Sequence, residues 1–288
     1  MKNYRYAVKA LVAAWVCLLS ISTMAQLRTP ENVPITFYGK VVDQSGQPVD
    51  GVKISLLVVT SHLEKYDTET QPVTLETDQK GNFTLNGYTA YGINIVSIEK
   101  DGYELSKKVI LSYNFGLVPT YTPDRNNPVV FRMWKKAGKE PLVGASKTYK
   151  ITPDGRPFTI DLLKHEGKPG ISPPGDIIVR INRPEKLAPG KKFDWSYSIE
   201  AIDGGIIHTN TDFLYQAPET GYEPKYEFSA PATNARWAGW AKEQFYIKSR
   251  GGQVYGSLEV EIDTDYDDHA VFKVDCALNP AGSRNLER

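Results

Sequence analysis

The sequence predicts an all-β protein made of two successive sandwiches, and three observations carry that expectation. Apolar residues recur with a period of two over short stretches, as in Val52, Ile54, Leu56 and Val58, or Phe193, Trp195, Tyr197 and Ile199. Turn-forming clusters separate those stretches, drawn from 23 glycines and 19 prolines. Aromatic residues form 11% of the chain, and their broad side chains pack well on a pleated surface.

The first 25 residues read as a segment outside the fold. Lys2, Arg5 and Lys9 precede an apolar run from Ala10 to Ile21, and Thr23 and Ala25 are small residues suited to a cut before Gln26. This is the pattern of a secretory signal peptide. The run is shorter than the ~20 residues that span a bilayer. Val16 stands before Cys17 where a lipoprotein needs a small residue. The expected location is therefore secreted or periplasmic, with no membrane attachment after cleavage.

Charge is balanced at 34 basic and 34 acidic residues. Removing the leader takes three basic residues and no acidic one, leaving 31 against 34. Such a balance excludes a nucleic-acid footprint or a polybasic membrane patch. Cys276 is then the single cysteine, so no internal disulfide forms. It follows Phe272 and Val274 at period two, which predicts a buried thiol.

Seven strands are expected in the first sandwich, residues 26–135, with Greek-key pairing. Ile35–Val42 runs into the turn Asp43–Pro48, and Val52–Val58 follows. Ser61–Gln71 is polar and reads as a loop before Val73–Thr77. Asp78–Asn82 is a turn leading to Phe83–Leu85. Ile93–Ile98, Tyr103–Leu111 and Val129–Trp134 complete the set, with a long loop over Ser112–Asn127.

Gly39-x-Val41-x-Asp43-x-x-Gly46-x-Pro48-x-x-Gly51-Val52, then Thr77-Asp78-x-x-Gly81-x-Phe83 and Ile98–Tyr103, resemble the carboxypeptidase regulatory-like domain. The resemblance covers roughly residues 35–112. It implies a transthyretin-like or prealbumin-like sandwich of the carbohydrate-binding-like fold group, and it implies no catalysis. Sugar binding does not follow from the fold-group name.

Lys135–Pro141 turns charged and places a linker at 136–145. The second domain, 146–288, reads as another antiparallel sandwich, jelly-roll-like. Its expected elements are a hairpin from Thr148–Ile151 to Phe158–Leu163, a loop over His165–Asp176 and a strand over Asp176–Arg183. Further strands are Phe193–Glu200, a stretch through Phe245 and Ile247, Val254–Ile262 and His269–Ala277. The stretches Phe131–Lys136 and Asn279–Leu286 resemble the C-terminal region of exported bacterial proteins that carry the regulatory-like module. No defined activity accompanies that resemblance.

Motifs for chemistry are absent. The four histidines form no HExxH or HxxEH, and there is no G-x-S-x-G, phosphate loop or dinucleotide fingerprint. The expected function is non-catalytic binding of an extracellular polysaccharide or a cell-surface protein. A structural envelope module without a small ligand is one alternative. Another is a glycan or peptide hydrolase with its site in the second domain, since a triad assembled from distant residues leaves no motif.

Trp237 and Trp240 stand among small residues without strand alternation, with Arg236 between Ala235 and Trp237. Tyr222 and Tyr226 precede them. Exposed rings stack on sugar faces with little loss of entropy, so these five residues are the candidate ligand site. A helical turn there would put both tryptophans on one side. Asp263, Asp265, Asp267 and Asp268 form the densest acidic cluster, and oxygen ligands at alternate positions suit a structural calcium ion. The cluster lacks the glycine and the bidentate glutamate of an EF-hand. No other cofactor is expected.

Overall fold

The computed structural model describes residues 31–62, 67–116, 119–185, 190–266 and 268–288. The leader, with Cys17 and the cut before Gln26, lies outside these, as does Asp267. The protein is all-β, and its described helical content is one 3-10 turn at Arg250–Gly252. No described helix is long and apolar enough to cross a membrane.

Contacts divide the chain into two units. The first holds Gln47–Lys100, Val109–Phe131 and the described part of Met1–Val42. The second holds Asp43–Gly46, Asp101–Lys108 and Arg132–Arg288.

The N-terminal strands are β1 (Val33–Val42), β2 (Lys53–His62), β3 (Asp67–Glu76), β4 (Asn82–Ala90), β5 (Gly92–Glu99), β6 (Tyr103–Leu105), β7 (Ser112–Asn114) and β8 (Val129–Lys135). They form two four-stranded sheets of order β4-β1-β8-β6 and β3-β2-β5-β7. β1 pairs with β4 and leaves its sequence neighbour β2 to the other sheet. Alternation decides which side each residue takes: Ile35, Phe37 and Val41 of β1 are buried, as are Ile54, Leu56 and Val58 of β2. Phe37 sits at the centre of an aromatic group. Tyr113 and Tyr121 each lie 4.8 Å from it, Phe83 5.9 Å and Phe131 6.5 Å.

The motif glycines have physical reasons. A Cβ on Gly39 would stand 2.2 Å from the Phe83 ring, and Gly81 turns at φ +74 with its own Cβ position 2.4 Å from the Val41 carbonyl oxygen. Thr77 ties the turn inward. Its hydroxyl accepts the Val52 N–H at 2.9 Å and donates to the Val49 carbonyl at 2.8 Å.

Three local expectations differ. Ser61–Gln71 is not a loop throughout, because β2 and β3 extend as paired strands to His62 and from Asp67. Polar threonines and glutamates continue the ladder there since β3 is an edge strand with no core to fill. Tyr103–Leu111 is strand at Tyr103–Leu105 alone, as β6, and β7 occupies the start of the expected loop Ser112–Asn127 on the other sheet.

The second unit continues with β9 (Val143–Ile151), β10 (Phe158–Asp161), β11 (Glu166–Pro169), β12 (Ile177–Asn182), β13 (Trp195–Ala201), β14 (Gly205–Thr209), β15 (Lys225–Ala230), β16 (Trp240–Ser249), β17 (Val254–Asp263) and β18 (Ala270–Asn279). Two five-stranded sheets result, β11-β10-β12-β13-β15 and β14-β16-β17-β18-β9. Their inner faces share one core that includes Ile160, Ile177, Val179, Trp195, Ile199, Phe245, Leu258 and Phe272.

The expected hairpin of 148–163 does not form. β9 pairs with β18, whereas β10 pairs with β11 and β12. Local turn chemistry joined two strands that belong to opposite sheets. Part of the expected loop His165–Asp176 is the edge strand β11, and β14 and β15 arise from stretches too short or too polar to show their period. Cys276 is buried, as its spacing implied, and burial pushes its thiol pKa up.

Candidate ligand-binding site

Residues that face one way on the sheet β14-β16-β17-β18-β9 fall into rows across the strands. Trp240, Asp263, Val271 and Lys150 stand directly opposite one another in register. Lys242, Glu261, Lys273 and Thr148 form the next row, then Gln244, Glu259, Asp275 and Ser146. Paired residues project to the same face, and the alternate positions Ala241, Phe245, Val260, Ile262, Phe272 and Val274 fill the core. These rows therefore form the outer face.

One end of that face is covered. Tyr246 packs with Leu214, Ala217 and Leu286, and its hydroxyl donates to the Phe213 carbonyl at 3.0 Å. The Trp240 end stays open. Trp240 is 59% exposed, although its backbone is pinned in β16 against Asp263.

Between the covered end and the open end lies a cleft of about 420 Å³. Its floor is the strand face at Lys242, Gln244, Ser257 and Glu259, and its walls are Glu104–Lys108 and Thr209–Tyr215. All of these belong to the second unit. Lys108 fastens one wall to the other. Its ammonium donates to the carbonyls of Asn210 (2.7 Å) and Thr211 (2.8 Å) and to the Gln244 side-chain oxygen (3.0 Å), which uses all three donors. Tyr215 donates its hydroxyl to Glu104 at 2.5 Å, and burial together with that carboxylate pushes its pKa well up.

The carboxylates of the cleft are mostly taken. Glu104 is 3.7 Å from Lys136, and Asp212 is 3.6 Å from Arg132. Glu243 meets Nε2 of His208 at 2.6 Å. The His208 ring lies 4.8 Å from Tyr226 and 5.4 Å from Phe245 on the edge strand β14, with its side chain 41% exposed.

The structure separates the residues that the sequence grouped. Trp237 is half-buried. Its ring lies edge-on to Phe193 at 5.0 Å, and its indole N–H donates to the Phe193 carbonyl at 2.8 Å. Trp240 opens β16 and faces outward, so no helical turn unites the pair. Chain reversal at Asn234–Trp237, closed by a 3.2 Å backbone hydrogen bond, turns the two rings apart. Arg236 is exposed beside it. Tyr226 lies on β15 against Phe245 at 5.0 Å. Tyr222 packs edge-on to Tyr255 at 6.2 Å, with its hydroxyl donating to the Pro218 carbonyl at 3.1 Å. Of the five candidates, Trp240 alone presents a largely open ring.

Of the acidic segment, Asp263 ends β17, and Asp265 and Asp268 are exposed beyond it. The Asp263 carboxylate accepts the Asp265 N–H at 3.0 Å, and Asp268 pairs with Nδ1 of His269 at 2.5 Å. That His269 contact, named first among several causes, holds the Asp268 carboxyl below its ordinary pKa. Among the described residues, no three His, Cys, Asp or Glu side chains are grouped to hold a metal ion.

Sequence reasoning passed over the cleft residues Lys107, Lys108 and Asp212, while Lys242 stood out as a donor beside the tryptophans. Trp240 and Lys242 do share the period of two that marks a strand face, and that pattern was readable. The contribution of 101–108 was not, because nothing local announces a contact with residues a hundred positions away.

No family model matches the chain, and no curated protein matches it. Among solved structures, the shaft pilin spaA from Lactobacillus rhamnosus GG aligns at 14% identity over 70% of this chain and 95% of that chain, with a TM-score of 0.26.

Proposed function

We propose that this chain is an exported, non-catalytic glycan-binding protein, with its site on the outer face of the sheet β14-β16-β17-β18-β9. The single observation behind this reading is Trp240. A tryptophan 59% exposed costs solvation, and here it sits on a paired strand, so little entropy is lost when a ligand covers it. Sugar rings present apolar C–H faces that stack on such an indole. Lys150, Asp263, Lys242 and Glu261 in the adjoining rows alternate donors and acceptors, which suits hydroxyl groups that are both. The leader pattern of Lys2, Arg5, Lys9 and the run Ala10–Ile21 supports export.

The test is retention on a panel of plant, microbial and animal polysaccharides by affinity electrophoresis. The native chain should be retarded by at least one polymer. Trp240→Ala should abolish that retardation while its melting temperature stays within about 2 °C, because an exposed ring contributes little stability. Absence of retention on every polymer, or retention unchanged in Trp240→Ala, would sink the reading.

A further inference from the structure

The cleft beside Trp240 carries an excess of uncompensated cations, and that excess speaks to the kind of glycan. Four carboxylates line it, and two are neutralised by Lys136 and Arg132, which come from outside the lining. Of the other two, Glu243 turns to His208 at 2.6 Å, which leaves Glu259 in the lining with Lys107, Lys108, Lys242 and Arg288. Lys107 and Lys242 are exposed and form no ion pair among the described residues. Lys108 is spent on three neutral oxygens, so its charge is offset by none of them. Lys242 stands one row from Trp240 on the same strand face, about 7 Å along β16 at the usual rise per residue.

We infer that the site takes a carboxylated polysaccharide, with one sugar stacked on Trp240 and the carboxylate of a neighbouring sugar in the cleft between Lys242 and Lys107. The inference rests on the glycan reading above and deepens it. The physical case is complementarity of charge. Concave walls keep water at a distance from part of the ligand, which strengthens the pairing of an ammonium with a carboxylate relative to open solvent. Reach is sufficient. Alternate residues of a strand stand about 7 Å apart, and the long stem of Lys242 spans the rest, so its ammonium reaches the sugar next to the one on Trp240.

The experiment uses the full exported chain on affinity gels containing polygalacturonate, alginate or hyaluronan. Fully methyl-esterified pectin serves as the matched polymer, with the same backbone and no charge. Polygalacturonate should retard the protein at least about tenfold more strongly than the ester, and raising salt to about 0.5 M should erase the difference by screening. The double variant Lys107→Ala, Lys242→Ala should lose that preference and keep its melting temperature. Its residual retention should be equal on the acid and on the ester. Trp240→Ala should lose retention on both.

Equal retention on acid and ester, or a preference unchanged in the double variant, overturns the carboxylate inference and leaves the glycan reading standing. Retention on none of these polymers but on an uncharged one does the same. Retention on no glycan overturns both.

Discussion

Solvent exposure separates the tryptophans of the second unit by role. Trp195 is 3% exposed in the core, and its indole N–H donates to the Ala238 carbonyl at 2.8 Å. Removing such a ring leaves a cavity and an unpaired carbonyl, so Trp195→Ala should cost about 3–5 kcal/mol, read by chemical denaturation. Trp240→Ala should cost almost nothing. Gly39 offers a second single-residue test. A methyl group there would overlap the Phe83 ring, so Gly39→Ala should destabilise by about 1–3 kcal/mol through overpacking. Gly39→Ala combined with Phe83→Leu should recover part of the loss. The buried Cys276 thiol should resist alkylation in the native protein and react on unfolding, as a timed thiol assay would show.

The turn between β16 and β17 clasps the two sheets of the second unit through one arginine. Arg250 donates from Nε to Asp176 Oδ1 and from Nη2 to Asp161 Oδ1, each at 2.9 Å. Ser249 and the Leu162 N–H add 2.9 and 2.8 Å bonds to Asp176. Arg250 itself holds φ +52, a left-handed conformation that disfavours a side chain, and the two carboxylates maintain it there. Burial alone would raise the Asp176 pKa; Arg250, Ser249 and the Leu162 N–H outweigh that and hold it below its ordinary value. Arg250→Ala removes the compensation and should cost about 3–5 kcal/mol. It should also reverse a pH trend. In the native chain, Asp176 contributes stability that is present above its unfolded pKa of about 3.9 and is lost as pH falls through the lower folded value. In Arg250→Ala, desolvation leaves the folded pKa raised, so that variant should lose stability as pH rises from about 4 to 7. Melting curves across that range decide the matter; parallel curves would contradict the clasp.

At the scale of the whole chain, the last residues hold the second unit closed. Glu287 accepts the Trp134 indole N–H at 2.6 Å and the backbone N–H groups of Ala137 and Gly138, both at 2.8 Å. Burial opposes its ionised form, yet these donors keep its pKa below the ordinary value. Asp176 and Glu287 therefore share one sign. The protein should hold a near-constant melting temperature from pH 6 to 8 and lose stability below about pH 4. Glu287→Ala should soften that acid loss and lower the melting temperature at pH 7, since three donors are left behind. Export has its own whole-chain test. Intact mass of the secreted protein should correspond to a start at Gln26 with no acyl group; a retained Met1 or a lipid on Cys17 would contradict the leader reading.

Period-two patterning by itself determined the all-β class and most of the strands. It works because each strand buries one face, and burial sorts apolar from polar residues along the chain. It also placed Trp195 and Cys276 inside. Turn residues marked where strands stop, as at Asp78–Asn82, because glycine and aspartate answer to local backbone geometry. Pairing was another matter. β9 looked joined to β10 and is paired to β18 instead, since hydrogen bonds between strands leave no trace in the order of residues. The first half of β3, before Val73, and the edge strand β11 were hidden for a related reason: with little core to fill, their residues have no cause to alternate. The site shows the same division. An aromatic and basic stretch near Trp240 was visible, but which ring faces solvent was set by the chain reversal at Asn234–Trp237. The cleft was set by Lys108 reaching Asn210, Thr211 and Gln244. Exposure and long-range contact are properties of packing, so tertiary structure alone decided them.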